Sequence, residues 1–258
     1  MSSWAVITGA SAGIGKELAE EAAKEGYRLI LVARREDRLR ELAADLTTRY
    51  GCECRVEVLD LAEEEGQRHL AATASEVADD LEVWINNAGF GASGRVVDLS
   101  WSRQRDMISL NMTALAFLSR HAASLMEKRG KGYIMNVAST AAFLPGPLMT
   151  MYYASKAFVL HFTEGLAEEM RASAVVVSAL CPGPTESEFL EAAGMNRPIY
   201  FKGPVPTSQE VAVWGWRAMM NGKVVAVHSL KNRILTTAAR LMPRMCLRRI
   251  THQLNQTR

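Results

Sequence analysis

The sequence predicts one α/β domain with a doubly wound, mainly parallel sheet of seven strands and helices on both faces. Three observations favour this fold class. The length of 258 residues suits a single large α/β domain. Apolar segments of strand length alternate with segments of helical periodicity, and the side chains with the most chemical character follow the ends of the predicted strands. These strands are 4–8, 28–33, 55–59, 81–85, 133–137, 175–180 and 223–227.

Composition excludes several classes of protein. The formal net charge of +2 and the hydrophobic fraction of 48% favour neither disorder nor nucleic-acid binding. No stretch approaches the ~20 apolar residues of a transmembrane helix, and residues 1–4 lack the layout of a signal peptide. The four cysteines lack the spacing of a disulfide framework or a metal site, so we expect apolar packing, no metal and a reducing cytoplasmic compartment. They are Cys52, Cys54, Cys181 and Cys246.

A glycine-rich turn follows the first predicted strand and precedes a segment of helical periodicity. Its glycines have the spacing G-x-x-x-G-x-G. Small residues in such a turn allow the backbone to approach a pyrophosphate, which then lies at the positive end of the helix. The turn therefore predicts a Rossmann-type dinucleotide site, although tight turns without a ligand also use glycine. The candidate residues are Gly9, Ser11, Gly13, Ile14 and Gly15.

Arginines follow the second predicted strand, where many dinucleotide sites have an acidic residue. Arg34 and Arg35 come directly after this strand, and Arg38 follows one helical turn later. An acid at this place binds the ribose 2′-hydroxyl, whereas guanidinium groups bind a 2′-phosphate. We therefore predict NADP(H) rather than NAD(H). The alternative is a solvated start of the next helix, in which the arginines pair with acids such as Glu36 and Asp37.

Polar residues also follow the third and fourth predicted strands. Asp60, which precedes Leu61, could accept a hydrogen bond from the adenine amino group or cap the next helix. The sequence Asn87-Ala88-Gly89 suits a tight turn beneath a flat ligand, or a β-turn alone. Both places are therefore candidate cofactor contacts.

Asn111 lies within a long helix predicted over 102–128. Asparagine is a poor helix former in such a position. Its amide could hold a water molecule or bend the helix, and taken alone it favours a structural role.

The stretch 139–156 contains the strongest chemical pattern. Tyr152 and Lys156 are four residues apart on a predicted helix, so they share a face. A nearby cation lowers the pKa of a phenol, which suits the phenol to acid–base catalysis. Ser139, at the end of the fifth strand, could hold the substrate oxygen. Tyr-x-x-x-Lys also occurs by chance on helices, and the convergence of six strand ends on one edge of the sheet carries more weight.

The sixth strand leads into a turn and then into an aperiodic segment. Pro182, Gly183 and Thr185 lie in the turn. The segment 186–206 mixes aromatic residues with glycine and proline, which favours either a lid over an apolar ligand or an ordinary surface excursion. Ser208 is expected to cap the helix that follows.

A basic tail, 231–258, is predicted to follow a Rossmann-type domain of residues 1–230. The tail carries seven Lys or Arg and no acidic residue, and Pro243 would interrupt or restart its helix. A basic amphipathic segment suits the surface of an anionic membrane. The alternative is packing on its own domain or on a second subunit. The apolar stripe consists of Leu235, Ala239, Met242, Cys246 and Ile250.

These motifs together resemble those of the short-chain dehydrogenase/reductase family, in family order from residue 4 to about residue 230. The interval between Ser139 and Tyr152 is the family's usual one, and it selects Tyr152 over Tyr153. A closer likeness, to bacterial reductases of the long-chain 3-ketoacyl and 17-beta-hydroxysteroid type, rests on Ala33-Arg34-Arg35 and the basic tail. The matching stretches are 8–15, 86–89, Asn111, Ser139, 152–156 and 182–183.

The resemblance implies a role for each of these residues. Tyr152 would exchange a proton with the substrate oxygen, and Ser139 would hold that oxygen. Lys156 would lower the pKa of the tyrosine and bind the ribose next to the nicotinamide. Asn111 would anchor a water molecule in a proton relay, and Thr185 would bind the carboxamide.

The resemblance also implies an activity. We expect an NADP(H)-dependent oxidoreductase that acts on an apolar ketone or ketoacyl substrate, with Asn87 and Gly89 near the inner ribose. The alternative is a protein that binds NADP(H) for regulation without turnover. Relatives are usually homodimers or homotetramers. The residues that suggest an apolar pocket are Phe90, Phe143, Leu144 and Met149.

Overall fold

The computed structural model describes residues 2–189 and 205–256. Seven strands form one sheet within these residues. Each predicted strand is present, and no strand end differs from its predicted position by more than two residues. The strands are β1 (Trp4–Thr8), β2 (Arg28–Ala33), β3 (Cys54–Val58), β4 (Leu81–Asn86), β5 (Gly132–Val137), β6 (Val175–Cys181) and β7 (Val225–Val227).

The strand order is β3-β2-β1-β4-β5-β6-β7, and every neighbouring pair is parallel. From β1 the chain builds outwards through β2 and β3, and it then returns to β4 beside β1 and builds outwards on the other side. A crevice forms at such a reversal, above the carboxyl ends of the two central strands. The predicted doubly wound fold is thus confirmed, and the ends of β1 and β4 mark the place where a ligand binds in folds of this kind.

Helices cover both faces of the sheet. Side chains alternate along β1, so that Ala5 and Ile7 pack in one apolar core while Trp4 and Val6 pack in another. The first core includes residues of α1, α2 and α7, and the second includes residues of α3 and α5. The helices are α1 (Gly13–Lys24), α2 (Glu36–Tyr50), α3 (Glu64–Glu76), α4 (Trp101–Ile108), α5 (Leu115–Arg129), α6 (Thr150–Glu169), α7 (Ser208–Met220), α8 (Leu230–Leu241) and α9 (Arg244–Asn255).

A π-helical turn, Ser109–Ala114, joins α4 to α5. The uninterrupted helix predicted over 102–128 is therefore wrong in its middle. The wider turn contains Asn111, whose side chain is almost fully buried. Single π-helical turns inside longer helices often accompany functional sites.

A capping box starts α7 one residue earlier than predicted. The Thr207 side chain accepts a hydrogen bond from the backbone N–H of Glu210, and the Glu210 carboxylate accepts one from the backbone N–H of Thr207. The predicted cap, Ser208, instead donates to the carbonyl oxygen of Glu186. The predicted lid, 186–206, lies mostly outside the described residues.

Buried amides connect the two strands that carry the predicted site. The Asn86 side chain of β4 donates to the Ser119 hydroxyl and to the Asn136 carbonyl oxygen of β5, both at 2.9 Å. Asn136 in turn donates to the Thr163 hydroxyl of α6 at 3.0 Å. Buried networks of this kind fix relative positions when every member has a partner. The ends of β4 and β5 are therefore held in register with the helix that carries Tyr152.

The basic tail packs on its own domain. It forms α8 and α9, and the break between them lies at Pro243, as predicted. Leu247 and Asn255 are buried, whereas Cys246 is exposed and does not pack as expected. Among the described residues, no helix has both the length and the apolar character needed to cross a bilayer.

Candidate active site

The glycine-rich turn between β1 and α1 forms a close-packed cradle. Gly9 and Gly13 have φ angles of 68° and 55°, which favour glycine. A Cβ atom on Gly15 would lie 2.4 Å from the carbonyl oxygen of Gly9 and 2.3 Å from the Asn87 amide nitrogen. The packing of the turn therefore requires glycine at position 15. Gly13 and Ile14, at the start of α1, line the crevice. These features fit the pyrophosphate of a dinucleotide.

The Thr8 hydroxyl links this turn to the end of β4. It accepts hydrogen bonds from the backbone N–H groups of Asn87 and Ala88, at 2.9 and 3.0 Å. The Asn87 side chain returns two hydrogen bonds to the carbonyl oxygens of Thr8 and Gly9. The turn predicted at 87–89 is thus a structural connection between the two central strands, and it lines the crevice at the same time.

The arginines predicted to bind the 2′-phosphate lie at the rim of the crevice and are ion-paired. Arg35 and Arg38 both contact the carboxylate of Glu188, and Arg35 also donates to the Ser11 hydroxyl. These two arginines hold the pKa of Glu188 below its ordinary value. Arg34 donates to Asp60 at 3.3 Å. An anion held between two guanidinium groups shows that this place suits a negatively charged group.

Asp60 makes a hydrogen bond within the protein and also lines the crevice. Its second carboxylate oxygen accepts the backbone N–H of Ala62 at 2.9 Å, which closes the turn before α3. The N-cap residue of α3 is Glu63, so Asp60 stabilises the turn before the helix and, contrary to the capping alternative, does not cap it. Asp60 and Leu61 also line the crevice, so a contact with a bound base is sterically accessible to them.

Ser139, Tyr152 and Lys156 come together at the ends of β5 and α6. The Ser139 hydroxyl lies beside the phenol of Tyr152 and acts to lower the pKa of that phenol. It also accepts the backbone N–H of Ala141 at 3.1 Å. Lys156 donates to the carbonyl oxygen of Val137 at 2.7 Å, and its ammonium nitrogen lies 5.9 Å from the centre of the Tyr152 ring. All three predicted residues line one cavity of about 1000 Å³.

Burial controls the pKa of both titratable groups. Desolvation raises the pKa of Tyr152 to about 12, and the neighbouring Ser139 hydroxyl opposes this rise. Desolvation lowers the pKa of Lys156 to about 8. Lys156 is not among the groups that shift the pKa of Tyr152 in this structure, and the expectation that it lowers this pKa stays a prediction. The ammonium group donates to a backbone carbonyl, and desolvation dominates at the phenol.

Asn111 lies behind the cavity wall, and its side-chain amide makes hydrogen bonds with Phe90 and Ser155. Its amide nitrogen donates to the carbonyl oxygen of Phe90 at 2.9 Å and to the Ser155 hydroxyl at 3.0 Å. Its carbonyl oxygen accepts the backbone N–H of Phe90 at 3.1 Å. Asn111 thus fixes the chain after β4 against α6, which is a structural role of the kind that the sequence allowed.

The structure brings nearly all the predicted site residues to the same cavity. Gly15 lies beneath the turn, Asn111 lies behind the wall, and Arg38 lines an adjoining cavity that Ser11 and Glu188 also line. Phe143 is not among the lining residues, since its ring packs under the guanidinium group of Arg240. The residues around the large cavity are Gly9, Ser11, Gly13, Ile14, Arg34, Arg35, Asp60, Leu61, Asn87, Ala88, Gly89, Ser139, Tyr152, Lys156, Pro182, Gly183 and Thr185.

Phe189, which belongs to the predicted lid, lies against Tyr152 with ring centres 5.1 Å apart. Other lining residues were not predicted individually as parts of the site. One is Glu188, which occupies the arginine cluster, and the tail supplies a further group. The apolar stripe of the tail was the available signal, but sequence alone did not show which surface it covers. The tail residues that line the cavity are Lys231, Asn232, Leu235, Thr236, Ala238, Ala239, Met242, Leu247, Ile250, Thr251 and Leu254.

Comparison with known families gives one clear match. Residues 3–197 match the profile of a family described as short chain dehydrogenase. A protein named very-long-chain 3-oxoacyl-CoA reductase, from Anas platyrhynchos, is 35% identical over 187 residues. That alignment covers 70% of this chain and 59% of the relative, so the match spans less than two thirds of the length of that protein.

Solved structures of similar fold cover more of the chain. A short-chain dehydrogenase from Sphingobium yanoikuyae in complex with NADPH has a TM-score of 0.84 and 31% identity, and the match covers 93% of this chain and 94% of that one. A short-chain dehydrogenase/reductase from Burkholderia phymatum in complex with NAD has a TM-score of 0.82 and 26% identity, with 93% and 92% covered. The structural similarity therefore includes part of the tail, which the family profile of residues 3–197 does not cover.

The low pKa of Lys156 predicts a pH-dependent stability. Lys156 has a pKa of about 8 in the folded protein and 10.5 as its ordinary value. Between these values the unfolded chain binds more protons, so the free energy of unfolding rises with pH. Relative to Lys156→Met, the wild-type protein should gain roughly 1 kcal/mol between about pH 7 and about pH 9.

Chemical denaturation of both proteins at several pH values measures this difference. Lys128→Met, which removes an exposed lysine of α5, is the matched control and should show no pH-dependent difference. A constant difference for Lys156→Met across the range would show that Lys156 keeps its ordinary pKa in the folded protein.

Proposed function

The chain belongs to the short-chain dehydrogenase family of oxidoreductases, and on this basis we propose that it transfers a hydride between NADP(H) and the carbonyl carbon of an apolar ketone or ketoacyl substrate. The observation that carries the proposal is the meeting of Ser139, Tyr152 and Lys156 in the cavity that the glycine-rich turn also lines. A bound nicotinamide cofactor supplies or accepts the hydride.

The chain's own residues handle the proton and the substrate oxygen. Because the pKa of Tyr152 is raised to about 12, its phenol is protonated at neutral pH and can donate a proton to a carbonyl oxygen. Ser139 can donate a hydrogen bond to that same oxygen. Lys156, fixed by the carbonyl of Val137, would bind the ribose next to the nicotinamide. Tyr152 and Lys156 thus favour the direction of reduction, in which the substrate oxygen gains a proton.

The arginine cluster supports NADP(H) over NAD(H). Arg35 and Arg38 already hold one anionic side chain, that of Glu188. A ribose 2′-phosphate has the same sign of charge and is a stronger multidentate acceptor. It would therefore compete with Glu188 for the two guanidinium groups. The proposed contacts of the rest of the cofactor are those predicted from sequence, from Gly9 to Thr185.

The apolar walls support a large hydrophobic substrate. Leu144, Met149 and Phe189 surround the ring of Tyr152 or lie close to it, and the apolar residues of the tail form the side beyond. Apolar cavities with a few convergent polar groups suit drug-sized or larger apolar ligands. The name of the duck relative points to a ketoacyl thioester, which is one member of this substrate class.

A regulatory protein that binds NADP(H) without turnover is the second candidate. The presence of Ser139, Tyr152 and Lys156 in one cavity argues against it, because binding alone requires no acid at the substrate oxygen. The dimer or tetramer implied by the family resemblance stays a prediction.

The tail also supports contact with an anionic membrane surface. Ile234, Leu241 and Met245 are exposed, and Leu241 is 85% exposed. Lys and Arg residues accompany them, and the tail has no acidic residue. Exposed apolar side chains next to cations fit the headgroup region of an anionic bilayer. We propose that an apolar substrate enters from that surface, since Leu235 of the same tail lines the cavity.

Tyr152→Phe tests the proposed acid. The substitution keeps the ring and removes the proton donor, so kcat for ketone reduction should fall by at least ~100-fold while NADPH binding changes little. Steady-state oxidation of NADPH against a panel of ketones and ketoacyl thioesters measures this. Tyr50→Phe, which removes a phenol hydrogen-bonded to Glu20 away from the cavity, should keep full activity. Retained turnover in Tyr152→Phe would exclude Tyr152 as the acid.

Arg35→Ala and Glu188→Gln test the cofactor preference in opposite directions. Arg35→Ala should weaken NADPH binding by roughly 10- to 100-fold, because a charge-assisted contact is lost, and should leave NADH binding unchanged. Glu188→Gln should tighten NADPH binding, since it removes the competing carboxylate. Fluorescence titration at one ionic strength measures both, with Arg40→Ala on the same helix as control. An equal loss for NADPH and NADH in Arg35→Ala would place the phosphate elsewhere.

Vesicle sedimentation tests the membrane surface. The protein should pellet with anionic vesicles and less so with zwitterionic ones, and added salt should reduce pelleting. Leu241→Asp should lower the bound fraction severalfold. The control is Val97→Asp, which changes another highly exposed apolar residue, 75% exposed, on a loop outside the tail. Equal pelleting of the wild-type protein and Leu241→Asp, or no pelleting at all, would exclude this surface.

A further inference from the structure

We propose that Asn255 locks the last helix, α9, onto the segment that carries Tyr152, and that this lock gives the enzyme its selectivity for bulky apolar substrates. The inference rests on the proposed function for its substrate class. Its physical basis is a buried carboxamide that connects α9 to Pro147, in the loop before α6, and to Tyr153, in the first turn of α6.

The Asn255 side chain makes two hydrogen bonds in a nearly solvent-free position. Its amide nitrogen donates to the carbonyl oxygen of Pro147 at 2.9 Å, and its carbonyl oxygen accepts the hydroxyl of Tyr153 at 3.2 Å. Asn255 is 1% exposed. A buried carboxamide whose donor and acceptor both have partners costs little, but the same partners become unsatisfied when the amide is removed.

The helix that carries Asn255 has one inward stripe. Leu247, Thr251 and Asn255 follow one another at intervals of four residues, and all three are buried. Ile250 and Leu254 lie beside this stripe, are partly exposed and line the cavity. The docking of the stripe therefore sets the position of the apolar wall that faces the substrate.

The segment that Asn255 contacts, Pro147 and Leu148, accepts hydrogen bonds from two different parts of the chain. Leu148 has a φ angle of 67°, which is unfavourable for a leucine, so the surrounding contacts must impose it. On one side the carbonyl oxygen of Leu148 accepts the backbone N–H of Gly94 at 2.8 Å. On the other side Asn255 binds the preceding residue, Pro147. If either contact is lost, we expect Leu148 to leave its unfavourable positive-φ conformation.

Tyr153 belongs to α6, so its hydrogen bond with Asn255 connects α9 directly to this helix. Its ring packs against Gly146 so closely that a Cβ atom there would lie 2.0 Å from the ring. It also packs edge-on against Tyr152, with ring centres 6.1 Å apart. Asn255 thus reaches the wall of the substrate cavity through α9 and reaches the neighbour of the proposed acid through Tyr153. It acts as a positioning residue, since it touches neither the reacting atoms nor the predicted cofactor contacts.

Asn255→Ala tests the lock with two ketones of different size. For a long-chain methyl ketone, kcat/KM should fall by at least ~10-fold, mainly through KM, because the apolar wall is no longer held. For butanone, which needs no distant wall, kcat/KM should stay within about twofold, and NADPH binding should not change. Gln253→Ala removes a carboxamide from an exposed position of the same helix and is the matched control.

A double-mutant cycle checks the partner. Tyr153→Phe should shift the ratio of the two kcat/KM values in the same direction, and Asn255→Ala combined with Tyr153→Phe should lose less than the sum of the single losses. Hydrogen exchange of residues 244–255 should be faster in Asn255→Ala than in Gln253→Ala. Equal losses for both ketones, or additive effects with unchanged exchange, would overturn the proposal.

Failure of the lock can be distinguished from failure of the proposed function. If the wild-type protein turns over no ketone, the proposed function fails, and the lock is then judged by hydrogen exchange and by binding of Nile red as an apolar probe. Weaker dye binding and faster exchange in Asn255→Ala alone would support the lock. Identical dye binding and exchange in both variants would overturn it.

Discussion

The hydrogen bonds between the ends of β1, β4 and β5 are the constraint on which the whole site depends. The Thr8 hydroxyl accepts two backbone N–H groups after β4, and Asn86 binds Asn136 across the β4–β5 pair. These bonds lie at the point where the strand order reverses, so they fix a crevice that the topology opens. The glycine turn can approach a ligand and Ser139 can face Tyr152 because the three strand ends cannot shift past one another.

Desolvation of Tyr152 and Lys156 is the second constraint. It lowers the stability of the folded protein, and it keeps the phenol protonated for the proposed proton transfer. Lys156 and Tyr152 are both buried, and each shifts towards its neutral form. A neutral phenol can donate a proton, whereas a buried ammonium group destabilises the folded protein below its pKa. Such groups persist where function requires them. Both shifted groups lie on α6, which agrees with the proposed role of this helix in the reaction.

The sequence predicted the fold well because strand spacing and glycine turns are local signals. It located β1 and β2 at both ends and placed Ser139, Tyr152 and Lys156 on elements that meet. It could not show the π-helical turn around Asn111, since that depends on packing against Ser155 and the chain after β4. It also missed Glu188 in the arginine cluster, because residues about 150 positions apart meet only in the folded chain. The tail's apolar stripe was visible, but the surface that it covers was not.

Among the described residues, asparagine side chains take part in most of the fully buried side-chain hydrogen bonds between distant parts of the chain, and sequence alone separates the roles of these asparagines poorly. A carboxamide carries a donor and an acceptor and no charge, so it can bridge two elements at a lower burial cost than an ion pair. Asn86, Asn111 and Asn255 each do this in different parts of the structure. Asn86 and Asn111 belong to stretches that match the family and Asn255 does not, yet all three make buried contacts of the same kind. The motif therefore marks where an amide is found, whereas the geometry of its partners shows what the amide holds in place.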